Sequence, residues 1–300
     1  MKEKEFISEI KNILNSDFIG DDCAYLKDLG IVITQDSLVE DVHFKRAYST
    51  PYQLGFKSVM VNLSDVAASG AEAKYLTISL SLPTDIENDF VKNFYKGAKE
   101  ACGANVDIVG GDITGGDKIY ISVCALGSVK ERNISSRKNA QIGQKVIVSG
   151  VHGSSAAGLK QLLSGERNTK LIKSHLEPIA QIAFGEYVSK NVKGKYAMMD
   201  TSDGLADALS TIANESGVLL DIDFSKIPYD KSLECFENWR EMVLFGGEDY
   251  QIVATVPQNI DIGYKIGVVK EGLGLNINYS DENIFFTKED VETRVFNHFN

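Results

Sequence analysis

The chain is poor in the features that would give a quick assignment. Its four cysteines, Cys23, Cys102, Cys124 and Cys235, form no CxxC pair and show no zinc-ligand spacing. A few scattered thiols in a chain this long fit a reducing compartment, the cytoplasm. Long apolar runs are missing. No stretch approaches a membrane span, and the opening MKEKEFISEI mixes charges without an apolar h-region, so no signal peptide is expected. Positive charge is in deficit, with a formal net charge of -11. That balance argues against a nucleic acid or a membrane surface as partner. An anionic ligand would need local devices such as metal ions, helix N-termini or a few arginines. There is no GxxxxGK[ST] phosphate loop, no GxGxxG opening a helix, no HExxH and no GxSxG elbow. His43, His152, His175 and His298 form no helical metal pair and read as structural or solvated. Neither a solenoid repeat nor a low-complexity segment is evident.

What is present is a globular composition, 43% hydrophobic and 24% charged over 300 residues, enough for two ordinary domains or one large one. Phe6, Ile7, Ile10, Ile13 and Leu14 share one helical face over 3–15. IVITQD (31–36) reads as a strand ending in Asp36. STPYQLGFKSVMVNLSDVAASG reads as a helix with Ser49 or Thr50 as N-cap, Pro51 near N1 and Gly70 as the stop. YLTISLSLP (75–83) alternates Leu76, Ile78, Leu80 and Leu82 against Thr77, Ser79 and Ser81, the signature of a half-buried strand. A helix over 85–102 and strands over 106–112 and 119–129 complete the first half. The polar run ERNISSRKNAQIGQ places a domain boundary near residue 138, giving segments 1–138 and 139–300. Beyond it, KVIVSG (145–150) opens a strand-turn-helix unit. YAMMD (196–200) is a strand, and 202–217 is a helix stopped by Gly217. VLLDIDF, YQIVATV and YKIGVV supply later strands.

The chemistry lies in where the acids fall. Asp21 and Asp22 follow FIG, Asp36 ends a strand, Asp65 interrupts an apolar helix, and Asp112 follows two glycines. Asp200 and Asp203 flank a helix start, and Glu248 and Asp249 follow FGG. Any one of these can be a cap or a turn former. Jointly, they describe carboxylates that could converge on one cleft and would repel strongly without a cation. Magnesium takes such oxygen ligands and commonly shares them with substrate phosphates. Asp65 is the best single case, since its neighbours are apolar or small; its plain alternative is a satisfied buried polar layer. The glycines of VGGD (109–112) and GGEDY (246–250) are either tight turns or places where backbone approaches a ligand. Arg137 is either a solvated arginine or a phosphate clamp. Cys23, beside two carboxylates, is a poor nucleophile.

IGDDCA, TQDSLVEDVHF, VNLSDVAASGA, IVGGDIT, MDTSDGLADAL and FGGEDYQI occur in this order over most of the chain. Together they resemble the bacterial thiamine-monophosphate kinase family, within the wider group that includes aminoimidazole ribonucleotide synthetase and selenophosphate synthetase. The resemblance implies an N-terminal α+β domain whose sheet is shared across a homodimer, and a C-terminal α/β domain, with ATP and several magnesium ions between them. It implies metal ligation by Asp22, Thr34, Gln35, Asp36, Asp65, Asp112, Asp200 and Asp203. It implies ATP contacts from Gly111, Asp112, Arg137 and Ser202, and a thiamine-phosphate site at His43, Glu248 and Phe296. Gln35 stands where threonine is usual, Asn297 where aspartate is usual and Val295 where glycine is usual.

The implied reaction is phosphorylation of thiamine monophosphate by ATP. The acceptor is already an anionic oxygen, so no catalytic nucleophile or base is expected, and the work is positioning plus charge neutralisation. The alternatives are another ATP-dependent synthetase of the same group, or a catalytically silent nucleotide- or metal-binding protein. No reactive Cys with a nearby lysine in a glycine-rich N-terminal segment marks a selenophosphate synthetase. The ending HFN lacks the cysteine of the related hydrogenase-maturation protein.

Overall fold

A computed structural model describes residues 3–296; Asn297 and His298 lie outside the described residues. The first half contains α1 (Glu3–Leu14), β1 (Ala24–Leu26), β2 (Ile31–Val39) and α2 (Pro51–Ser69). It continues with β3 (Glu72–Leu82), α3 (Phe90–Cys102), β4 (Asp107–Gly115) and β5 (Tyr120–Ser128). The strands form one sheet in the order β1-β2-β5-β3-β4, with β4 parallel to β3 and the other pairs antiparallel. The alternation of β3 is realised: Leu76, Ile78 and Leu80 are buried beneath α2 and α3, while Thr77, Ser79 and Ser81 point to the other, uncovered face. Asp36 lies inside β2 rather than at its end, because the strand continues to Val39 in register with Tyr120. The helix expected from residue 85 begins only at Phe90.

Thr50, not Ser49, caps α2. Its hydroxyl accepts from Gln53 N (3.3 Å) while the Gln53 side chain accepts from Thr50 N (3.0 Å), a reciprocal capping box with Pro51 at the first turn. Gly70 ends the helix at φ 85°. Helices α2 and α3 cross closely enough that a Cβ on Gly55 would stand 1.9 Å from Phe94 O, and one on Gly97 1.9 Å from Tyr52 O.

Residues 129–144 carry no helix or strand and lead to the second half. That half comprises β6 (Lys145–Val148), α4 (Ser154–Leu163), α5 (Lys170–Leu176), α6 (Ile182–Asn191), β7 (Ala197–Asp200) and α7 (Leu205–Ser216). After these come β8 (Leu219–Asp223), α8 (Trp239–Phe245), β9 (Ile252–Val256), β10 (Tyr264–Lys270), β11 (Gly274–Asn278), β12 (Asn283–Phe286) and α9 (Lys288–Glu292). Its sheet runs β12-β11-β8-β10-β6-β9-β7, and only β8 and β11 are parallel neighbours. The fold is therefore mixed α and β with two sheets. Among the described residues, no helix is long and apolar enough to cross a membrane.

Helix α2 belongs to both halves. Leu54, Val59, Leu63 and Val66 pack into the core of the first sheet. Ala67 and Ala68 instead join Ile147, Phe184, Tyr196 and Met198 of the second half. A helix that is apolar on all sides is a buried helix, and α2 is buried over most of its length. Its polar residues therefore stand out.

Candidate active site

Asp65 leaves α2 into a cavity of ≈ 750 Å³ between the two halves. Thr34 Oγ1 donates to Asp65 Oδ2 at 2.6 Å, which fixes one carboxylate oxygen from the neighbouring strand. Asp200, at the end of β7, accepts from Ser64 Oγ (2.6 Å) and from Ser202 N (3.3 Å). Asp22 arrives on the loop after Gly20 and is held by Arg137, whose Nη2 donates to Asp22 Oδ1 at 2.8 Å. Asp21 acts differently, since its carboxylate accepts from Arg137 N at 2.7 Å and orients that loop. One oxygen from each of Asp22, Asp65 and Asp200 lies within 4.8 Å of the others. Thr34, Asp36, Asp65 and Asp203 border the same cavity, and Asp36 N donates to the buried Asn62 Oδ1 at 3.1 Å.

The electrostatics follow from this geometry. Burial first, and then Asp36, Asp200 and Asp22, push the Asp65 carboxyl well above the ordinary carboxylate range. Burial and then Asp22 push Asp200 up to about 7. The three oxygens are hard donors that repel one another in the absence of a cation, and that donor set fits magnesium. Burial opposes the charge of Arg137, but Asp22 beside it outweighs burial and strengthens the hold on the proton. Arg137 Nε is buried with no hydrogen-bond partner among the described residues, an open donor where an anion could bind. Cys23 lies beneath the cluster, and burial followed by Asp65 and Asp22 raises its thiol well above normal, so it is an inert packing residue.

Not every expected residue joins this group. Gln35 borders the same cavity, but successive strand residues face opposite sides, and its amide donates to Ser122 Oγ (3.1 Å) on the uncovered face of the first sheet. Asp112 is likewise not in the cluster. It lies within β4, not after the strand, and pairs with Ser79 on the uncovered face, with β3 and β5 between it and β2. Gly111 is required by a close approach within the protein: a Cβ there would stand 1.8 Å from Ile78 O.

His43, Glu248 and Phe296 line the same cavity. His43 is placed by a turn in which its Nδ1 accepts from Val39 N (3.0 Å). Phe296 is 60% exposed. It also borders a second cavity, of ≈ 410 Å³, against α1, α7 and α9, which shares Arg137, Ser202 and Asp203 with the first. Glu248 adopts φ 65°. It meets Lys57 Nζ at 2.9 Å and His175 Nδ1 at 3.3 Å. Burial works to raise the Glu248 carboxyl, but Lys57 and then His175 overcome it and hold the carboxyl below its usual range. Sequence reasoning passed over Lys57 and His175. Lys57 carried the same signal as Asp65, a charge inside an apolar helix. His175 carried none, since α5 meets Glu248 only through the fold.

Known proteins share this architecture. The family described as AIR synthase related protein, N-terminal domain, matches residues 20–129. The thiamine-monophosphate kinase of Aquifex aeolicus is 38% identical over 98% of this chain and 96% of its own. That of Bacillus subtilis is 36% identical over 79% of this chain and 77% of its own. Among solved structures, AaThiL complexed with AMPPCP and TMP superposes with a TM-score of 0.89 at 36% identity, covering 99% of this chain and 97% of that one. The hydrogenase maturation protein HypE in complex with ATP, at 18% identity and a TM-score of 0.72, shares the fold.

Proposed function

The chain belongs to the thiamine-monophosphate kinase family, and from that premise we propose that it transfers the terminal phosphoryl group of ATP to thiamine monophosphate, giving thiamine diphosphate and ADP. The observation that carries this reading is one cavity lined by two chemically distinct groups of residues. Asp22 and Asp65 converge with Asp200, and His43, Glu248 and Phe296 line the same cavity.

Asp22, Asp65 and Asp200, with Thr34, Asp36 and Asp203 beside them, would hold magnesium. Bound there, magnesium supplies neutralisation of the phosphate charges that must approach one another. The protein's own contribution is positioning. Thr34 and Ser64 lock the Asp65 and Asp200 oxygens by short hydrogen bonds. Arg137, held by Asp22 and with its buried Nε open, would meet ATP phosphate together with Ser202. Phe296 would stack on the thiamine ring, with His43 and Glu248 lining the same cavity. The acceptor is a phosphate oxygen that is anionic at neutral pH, so transfer runs directly in line with no general base and no phosphoenzyme.

The uncovered face of the first sheet exposes Tyr75 and Tyr120, and its edge strand exposes Val109 and Ile113. This is the face on which a homodimer would form. Gly111 and Asp112 lie along it, so their contact with ATP or magnesium would be made across the pair. Residues 1–138 would then carry dimerisation and most metal ligands, and 139–300 would complete both substrate sites. All four cysteines are free thiols, in keeping with a place in the cytoplasm.

The test is ADP release from ATP and magnesium, with and without thiamine monophosphate, together with identification of thiamine diphosphate. Stimulation by the acceptor is expected. Equal release without it would favour a nucleotide-binding protein. Trapping a covalent phosphoprotein on the productive path would overturn direct transfer.

A further inference from the structure

Glu248 is held more elaborately than a solvated ligand contact requires. Lys57 Nζ, in a side chain only 4% exposed, meets one carboxylate oxygen at 2.9 Å, and His175 Nδ1 lies 3.3 Å from the other. The two partners are themselves tied down: Lys57 Nζ donates to His175 O (3.2 Å), and His175 Nδ1 is 3.0 Å from Ser155 Oγ. The backbone beneath is equally constrained. Glu248 and Tyr250 stand at φ 65° and 48°, conformations that bulky residues adopt only when their surroundings impose them. Asp249 between them supplies the anchor. Its carboxylate accepts from Gly153 N (2.5 Å) and Ser155 N (2.8 Å) at the start of α4, while Glu248 N donates to Ser202 O at 2.7 Å.

A purely structural ion pair gains nothing from such strain, and a buried one adds little stability. Yet this carboxylate keeps 26% of its side chain exposed and borders the cavity that His43, Tyr48 and Phe296 also line. Resting on the function proposed above, we infer that Lys57 and His175 are positioning residues, which hold the Glu248 carboxylate as the acceptor for the amino-bearing, cationic ring end of the phosphoryl acceptor. The substrate's permanent positive charge and its ring amino group are both complementary to a fixed carboxylate. Lys57 comes from the first half of the chain and His175 from the second, so this subsite exists only when both halves are in place. It takes no part at the phosphate end.

The experiment is steady-state kinetics on the full-length protein bearing Lys57→Met, Lys57→Arg, Glu248→Gln and the Lys57→Met/Glu248→Gln pair, with thermal melts as a folding control. Lys57→Met is expected to raise KM for thiamine monophosphate by roughly tenfold, the loss of a charged hydrogen bond. KM for ATP should stay within about twofold and kcat should change less than KM. Lys57→Arg should restore most of the loss. The double variant, which leaves no unpaired buried charge and so remains folded even where Lys57→Met does not, should be no worse than Glu248→Gln alone. A wild-type enzyme active on thiamine monophosphate whose two KM values rise together in the variants, or whose single-substitution effects multiply in the double variant, overturns the inference and leaves the proposed reaction standing. Absence of acceptor-dependent turnover in the wild type overturns both.

Discussion

Around Asp65 and Asp200, carboxylates meet chiefly one another, and both hold their protons more tightly than usual; at Glu248, in the same cavity, a half-buried carboxylate meets Lys57 and His175 and holds its proton less tightly. Burial acts in the same direction at both places, so the difference comes from the partners. Glu248 has its partners built into the protein and is ready for a neutral or cationic group. The Asp22–Asp65–Asp200 group has Arg137 beside it and, on the proposed reading, would be completed by a cation from solution. One cavity thus contains a finished charge arrangement and an unfinished one, which suits a ligand with a cationic ring at one end and an anionic phosphate at the other.

The sharpest way to break this contrast is Asp65→Asn. Removing a ligand and a source of repulsion together should lower turnover by roughly 100- to 1,000-fold while leaving the melting temperature in EDTA unchanged or higher. Unaltered turnover and magnesium dependence would show that Asp65 is not a ligand.

A second test uses pH. Asp200 has a folded-state pKa of about 7 against an ordinary value of 3.8. Below the ordinary value it is protonated in both states and costs nothing. As pH rises toward about 7 the unfolded chain releases the proton first, so the metal-free fold loses stability, and above that the loss is constant. Magnesium held there would bind the ionised form and remove this loss. The rise in melting temperature on adding magnesium should therefore be several degrees larger at pH 8 than at pH 5. His152 and His175 act oppositely: burial lowers them to about 3 and about 4, so they cost stability as pH falls below the ordinary histidine value of 6.5. Differencing with and without magnesium at each pH separates the two effects. A magnesium increment independent of pH would count against the cluster.

Ser64→Ala is expected to be milder. It removes the 2.6 Å bond to Asp200, and should raise the magnesium concentration for half-maximal activity by roughly tenfold. Unchanged magnesium dependence would mean that Asp200 needs no such orientation. The smallest effect should be that of Gln35→Ala. Its side chain faces Ser122 across the sheet, so magnesium dependence should stay within about twofold, a shift below about 0.5 kcal/mol; a larger change would restore it as a ligand.

How far these arrangements were legible varies residue by residue. Asp65 was readable because a carboxylate in an apolar helix must be answered by something, and Lys57, two turns earlier on the same helix, was readable on the same ground. That the Gln35 side chain faces away from those of Thr34 and Asp36 could have been read from the two-residue period of a strand alone. Asp112 was recognisable as part of a motif, but its position depends on β4 pairing beside β3 at the far edge of the sheet, a long-range outcome with no local sign. His175 reaches Glu248 from α5, and Ser155 reaches His175 from α4. The short α5, α8 and α9, and the short strands β11 and β12, carry too few periods to announce themselves, so the second half was read more coarsely than the first.

Helix α2 also constrains how the enzyme can move. Its Ala67 and Ala68 are sealed against Phe184, Tyr196 and Met198, and at Gly185 the backbones approach so closely that a Cβ would stand 2.1 Å from Ala67 O. Prising the halves apart like a clamshell would strip this seam and carry Lys57 and Asp65 away from their opposite numbers. Adaptation to bulkier or slimmer ligands is therefore left to cavity-lining residues outside this seam, Phe296 among them, while the beam behind them stays fixed.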